Sequence, residues 1–323
     1  MPPILSDFRF APYFEVAVAS TVGVGPATRL ENQDNFVVID FDGRACRLRD
    51  QQPVCTQVAD WPPGHGRLAV LDGMGGHGHG REAAEALAEA LLAMPPCDTL
   101  DELERQLDGL HAFLQARLGA DATGAGRPGT TLTLLELRRD AAPLLYHVGD
   151  SRLYRLGADG ATPLTVDHVP ATMAALAGRI DEADWWRQVH GHHAPQIAQA
   201  FILGNAFADP AHLSDGLYAL TPERLPTWLA HLADRRALPL PASASWLLAT
   251  DGFWSCADPG AFTAQWPALA DGADAATLVE RLFGAIERLA PDTLQPDNLT
   301  ALVVRPLARH ADETVLPLDT RET

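Results

Sequence analysis

The sequence contains no run of 18 apolar residues, so no transmembrane helix is expected. Its opening, Met1-Pro2-Pro3-Ile4-Leu5-Ser6-Asp7, has no basic start leading into an apolar stretch, and no secretory signal is read there. Cysteine is scarce. Cys46, Cys55, Cys97 and Cys256 form no C-x-x-C pair, and reduced thiols in a cytoplasmic protein fit that usage. Cys46 and Cys55 come near each other only if a hairpin joins them. Positive charge is also short: 24 Lys+Arg stand against 42 Asp+Glu, a formal net charge of −18. That balance repels phosphate backbones and anionic headgroups, so neither nucleic acid nor membrane insertion is expected. There is no internal repeat and no low-complexity linker, which leaves one domain. G-x-S-x-G is missing too, and Ser151 has no convincing base beside it, so a serine nucleophile finds little support.

What is present is a chain of 323 residues, 47% hydrophobic and 20% charged, enough for a sizeable core. Strand patterns run over Phe14 to Ser20, Phe36 to Phe41 and Arg67 to Leu71. Two helices follow, Arg81 to Met94, stopped by Pro95-Pro96, and Thr99 to Leu118, with leucines three and four apart. Short strands return at Thr130 to Leu137, Leu144 to Val148, Leu153 to Leu156 and Thr162 to Val166. Their close spacing requires antiparallel pairing. From Pro170 to about Leu232 the pattern reads as helical with Pro, Gly and His interruptions. A buried strand at Trp246 to Thr250, a helix at Ala275 to Leu289 and a last strand at Leu299 to Val304 complete the order. Segregated strands and helices of this kind indicate α+β.

The loop after the third strand, Asp72-Gly73-Met74-Gly75-Gly76-His77-Gly78, contains G-x-G-x-x-G. A dinucleotide site would need the following helix to lead into a parallel strand, and here a second helix follows instead. Asp72 would also aim an anion at the pyrophosphate. A strand-end aspartate followed by bare backbone suits a hard cation better. Asp34, Asp150, Asp251 and Asp297 stand at comparable strand borders, each beside Gly, Asn or Ser. One such residue is an ordinary turn aspartate. Five carboxylates bordering apolar strands call for pairing, hydrogen bonds or metal. His77-Gly78-His79 and His190-Gly191-His192-His193 have ligand-like spacings but read as solvated loop histidines. Trp185-Trp186 and Phe253-Trp254 read as packing.

Taken in order, Arg29…Asn32-Gln33-Asp34, Asp72-Gly73-Met74-Gly75-Gly76-His77, Gly129-Thr130-Thr131, Gly149-Asp150-Ser151-Arg152, Thr250-Asp251-Gly252-Phe253-Trp254 and Pro296-Asp297-Asn298 resemble the metal-dependent serine/threonine protein phosphatase family, the phosphatase 2C-like group, in its bacterial branch. The resemblance covers residues 14 to about 305. It implies a sandwich of two antiparallel β-sheets flanked by α-helices, a four-layer αββα arrangement. Residues 1-305 would form a single catalytic domain with an enlarged flap at about 205-240, and 306-323 a polar tail. By the same resemblance Asp72 bridges two Mn²⁺ or Mg²⁺ ions with the Gly73 carbonyl beside it. Asp251 and Asp297 complete one ion's shell, Asp34 lies near the other through water, and Asp150 belongs to a third, weaker site. A hydroxide shared by the ions would attack phosphorus in line, and Arg29 would clamp the phosphate.

Three departures stand out. Gln33 replaces a glutamate common in the family, as it does in bacterial relatives. Met74 stands where eukaryotic members carry a histidine proposed as the general acid, so the leaving oxygen would take its proton from metal-bound water, with His77 a weaker substitute. The 205-240 region is enlarged and would set substrate choice or docking. The expected activity is hydrolysis of phosphoserine and phosphothreonine on proteins, opposing a cognate kinase. Two rival readings are a pseudo-phosphatase that binds or scaffolds phosphoproteins and a hydrolase of non-protein phosphoesters.

Overall fold

The computed structural model describes residues 8–25, 27–75, 79–118, 127–191 and 196–307. In chain order its elements begin with strand β1 (Phe14–Thr21), the short pair β2 (Gly23–Val24) and β3 (Ala27–Thr28), then β4 (Asp34–Ile39), β5 (Arg44–Arg49), β6 (Gln52–Gln57) and β7 (His65–Met74). Helices α1 (His79–Ala93) and α2 (Leu100–Leu118) follow. Next come β8 (Gly129–Thr130), β9 (Leu132–Arg138), β10 (Ala141–Val148), β11 (Arg152–Gly157) and β12 (Gly160–Pro163). The last third holds α3 (Pro170–Leu176), α4 (Glu182–His190), the hairpin β13 (Gln199–Ala200) and β14 (Gly204–Asn205), and the edge strand β15 (Arg235–Ala237). It closes with β16 (Ser245–Ala249), α5 (Pro259–Thr263), α6 (Trp266–Ala270), α7 (Ala275–Glu287) and β17 (Leu299–Pro306).

Two antiparallel sheets result. One has the order β1-β17-β16-β11-β12, the other β15-β10-β9-β7-β4-β5-β6 with β8 on β7. Between them Phe14, Val18, Phe36, Val38, Leu68, Val70, Leu248 and Leu302 form the central core. The other faces are covered by α1 and α2 on the larger sheet and by α7 on the smaller. This is the αββα sandwich expected from the sequence. Central strands such as β4 and β7 are covered on both faces, which is why they read as nearly continuous apolar runs rather than alternating ones.

One charged residue interrupts β7. Arg67 is fully buried and uses all its donors: two go to the Glu136 carboxylate at 2.7 and 2.8 Å, the others to the carbonyls of Leu91, Met94 and Pro95. The carbonyls left open at the end of α1 thus find partners within the sheet.

The helical reading of 170 to 232 holds for α3 and α4 and fails beyond them. Asp181 caps α4 by accepting from the Asp184 amide. After the β13–β14 hairpin the backbone crosses itself instead of coiling: Asn205 and Ser214 exchange amide–carbonyl bonds, and the Leu220 amide donates to the Asp234 carboxylate. Leu220, Leu225, Leu229 and Leu232 nevertheless share a core with Trp185 and Val189, so the apolar residues of this stretch are buried without a helix. The segment then ends as β15, pairing with β10 at the edge of the larger sheet. Trp185 is packing, as expected, while His190 rests against Trp186 at the end of α4 rather than in a solvated loop. His77, His192, His193 and residues 308–323 lie outside the described residues. Cys46 and Cys55 face each other across the β5–β6 hairpin as free thiols.

Candidate active site

The cleft opens at one end of the sandwich, where strands of both sheets stop. Antiparallel register sets Asp34 of β4 directly opposite Asp72 of β7. The Asp72 amide donates to the Thr131 hydroxyl at 2.9 Å, and that hydroxyl meets the Ser151 hydroxyl at 2.6 Å, tying the β7 end to the loop that carries Asp150. Ser151 therefore works as a brace. The loop itself needs Gly149, whose φ is +110° and whose missing β-carbon would fall 2.6 Å from the Thr131 side chain. Gly73 is needed for closeness instead: a β-carbon there would lie 2.3 Å from the Gly80 carbonyl oxygen and 2.5 Å from that of Gln33. Asp251 follows β16 in a single 3-10 turn, and Asp297 precedes β17.

Six of the seven residues singled out in the sequence, Arg29, Asp72, Gly73, Asp150, Asp251 and Asp297, line one cavity of about 290 Å³, together with Gln33, Met74, Ile197 and Asn298. Asp34 does not line it. Its carboxylate is buried behind the cleft, where one oxygen accepts from the hydroxyls of Thr250 at 2.7 Å and Thr300 at 2.8 Å. Those threonines belong to the opposite sheet, so Asp34 pins the two sheets together beneath the site. Arg29 is half exposed and donates to Asp297 at 3.0 Å. Asn298 joins the two loops by accepting from the Gln33 amide and donating to the Glu31 carbonyl.

Sequence reasoning missed two participants, Thr300 and Ile197, and gave Thr250 no role although it stood in a quoted motif. Thr300 carries no signal except β-branching, and the partner it shares with Thr250, Asp34, is 266 residues away. Ile197 brings an apolar side chain to the cleft from a stretch read as helical. From the 205-240 flap region no residue lines the cavity, because that segment is spent on its own core and on β15.

The electrostatics are those of an anion cluster short of counter-charge. Burial, then repulsion from Asp251, Asp34, Asp297 and Asp150, holds the Asp72 pKa well above the usual carboxylate range. Burial also raises Asp34, Asp150 and Asp251, and brings Asp297 to about 6. The guanidiniums that act on these groups are Arg29 and Arg152, and Arg152 is already engaged by Asp167. Among the described residues no three carboxylates stand at the spacing of a closed metal cage. An all-oxygen set of this kind, with the Gly73 carbonyl and the Asn298 amide beside it, fits hard divalent cations and not zinc.

A pH dependence follows from these directions. Carboxyls raised in the folded state keep protons that the unfolded chain has released, so stability falls as pH rises through that interval. Metal-free protein should therefore lose stability between about pH 4, near an ordinary aspartate pKa, and the Asp297 value of about 6. Thermal melts across that range in chelator check it, and added Mn²⁺ should reverse the loss at the upper end. A flat profile would contradict the cluster.

No protein-family profile matches the chain. A sequence search finds the serine/threonine protein phosphatase PstP of Mycobacterium tuberculosis, 28% identical over 142 residues, 43% of this chain. The chain spans about a quarter of that relative's length, 26%. Among solved structures, PppA, described as a key regulatory component of T6SS in Pseudomonas aeruginosa, matches at 22% identity and a TM-score of 0.58, covering 91% of this chain and 98% of that one. The PstP catalytic domain in complex with two manganese ions matches at 20% identity and a TM-score of 0.56, with 91% and 99% covered. The sandwich is thus that of the phosphatase 2C-like proteins. With the sequence match over 43% of the chain beside it, the chain is similar to bacterial serine/threonine protein phosphatases and shares their fold.

Proposed function

We propose that the chain hydrolyses phosphoserine and phosphothreonine on proteins with the help of Mn²⁺ or Mg²⁺. The observation that carries this reading is the convergence of Arg29 with Asp72, Gly73, Asp150, Asp251 and Asp297 on one cavity. Asp72 and the Gly73 carbonyl would hold two ions between them, Asp251 and Asp297 one of these, and Asp150 a third, while Asp34 braces the floor. When bound, such ions supply a nucleophilic water at neutral pH and draw charge from the phosphoryl group.

The chain's own residues do the rest. Arg29 is exposed enough to reach a ligand and is paired only at its tip, so a phosphoryl group can take over the fork that Asp297 now holds. Met74 lines the cleft and has no proton to give, so the leaving oxygen takes its proton from solvent. Ile197 keeps one wall of the cleft apolar. The cytoplasmic setting and an opposing kinase belong to the same reading. Among the described residues no helix is long and apolar enough to cross a membrane.

Arg29→Ala tests the phosphate clamp. Loss of a charge-assisted contact of about 1.5–3 kcal/mol should raise KM for a phosphothreonine peptide about 10- to 100-fold, with kcat changed far less. Steady-state kinetics read the split. An unchanged KM would remove Arg29 from the site.

A further inference from the structure

A second and larger cavity, about 460 Å³, adjoins the cleft and shares Asp150 with it. Its volume lies within the range of about 300–1,000 Å³ usual for ligand sites. Gln196 lines it while the next residue, Ile197, lines the cleft, so this stretch of chain divides the two spaces. Its apolar wall comes from Val169, Pro170 and Ala171 at the start of α3, Val189 of α4, and Trp254.

The walls are fastened, not incidental. Arg152 grips Asp167 with both ends of its fork, donates to the Val189 carbonyl at 2.7 Å and lies 4.3 Å from the centre of the Trp254 ring. The Thr172 hydroxyl donates to the Asp167 carbonyl and accepts from the Trp185 indole at 3.0 Å. Among the described residues two cations line the cavity: Arg152, buried and held by Asp167, and Arg187, exposed and paired with Asp184. With Asp150 and Asp167 also in the wall, the buried part of the cavity formed by the described residues offers an acidic side chain or a second phosphate no cation beyond the Arg152 that Asp167 already holds.

We propose that this cavity is the subsite for an apolar or aromatic side chain next to the phosphorylated residue of a protein substrate, an inference that rests on the phosphatase reading above. A phosphoresidue anchored at Arg29 and the aspartates must lay its neighbours along the cleft wall, and the concave neighbour across Asp150 is this one. The chain would then discriminate among phosphoproteins by what flanks the phosphate.

The test compares phosphothreonine peptides that carry Phe, Ala or Glu at the flanking positions. Both kcat/KM and calorimetric affinity are measured, for the wild type and for Ala171→Trp on α3 and Gln188→Trp on α4, two lining positions where a large side chain takes up cavity volume. Burial of one large apolar side chain should favour the Phe peptide about tenfold over the Ala peptide in the wild type. Both variants should shrink that ratio to about twofold or less. The ratio stays readable even where a variant lowers activity overall. Equal use of the three peptides by the wild type, or a preference that survives both substitutions, would overturn the subsite. If the wild type turns over neither the peptides nor p-nitrophenyl phosphate, it is the hydrolase reading that fails. The affinities then decide the subsite alone, by the same ratio.

Discussion

Asp72→Asn should abolish phosphate release and at the same time raise the melting temperature of the metal-free protein at pH 7. The two effects have one cause. Asp72 is buried among four other aspartates, which oppose its charge as long as no cation joins them. Neutralising it relieves that repulsion and removes a carboxylate that, on the proposed function, would hold divalent metal. Metal-assisted charge stabilisation is worth several kcal/mol, so the loss of turnover should exceed about 10³-fold, or about 4 kcal/mol. The gain in melting temperature should shrink toward pH 4, where the wild-type carboxyl is itself protonated. Activity assays and melts at both pH values check the pair. Activity kept within tenfold of wild type would contradict the role given to Asp72, and a lowered melting temperature at pH 7 would contradict the account of the cluster.

Glu136→Ala carries the largest expected cost to folding. It would leave the Arg67 guanidinium buried at full charge with its two carboxylate bonds gone. Stranding a buried charge in this way costs about 3–5 kcal/mol. The Cys97 amide would lose its acceptor as well. Urea denaturation should show the midpoint fall with little change in slope. A loss below about 1 kcal/mol would mean that water reaches Arg67, against its complete burial. Arg67→Ala should also destabilise, because the carbonyls of Leu91, Met94 and Pro95 would be left without donors.

The sequence made most of the sandwich legible because its strands and its two long helices obey local rules. Val37, Ala69 and Leu71 face the helices while Val38, Leu68 and Val70 face the other sheet, so buried strands stand out as apolar runs. The aspartates on the cleft stood out in the sequence because each sits at a strand border next to Gly, Asn or Ser, whereas Arg29 stood out only through the family resemblance. What local patterns could not carry was pairing at long range. The hydroxyls that hold Asp34 come from Thr250 and Thr300, and nothing in Leu299-Thr300-Ala301 announces a partner 266 residues earlier. The stretch after α4 failed for a different reason. Leu220, Leu225, Leu229 and Leu232 are spaced much as a helix would space them, yet Pro222 and Pro226 interrupt the run, and the backbone is satisfied by Asp234 and short turns instead.

The central claim is that the aspartate cluster is a working metal centre for phosphate release. The most direct measurement is hydrolysis of a phosphothreonine peptide by the purified chain in Mn²⁺, in Mg²⁺ and in chelator, with Asp72→Asn alongside. The account expects release that requires divalent metal, stops in chelator and is missing from the variant. Folded wild-type protein that releases no phosphate under any metal, or that releases it equally in chelator, would contradict it.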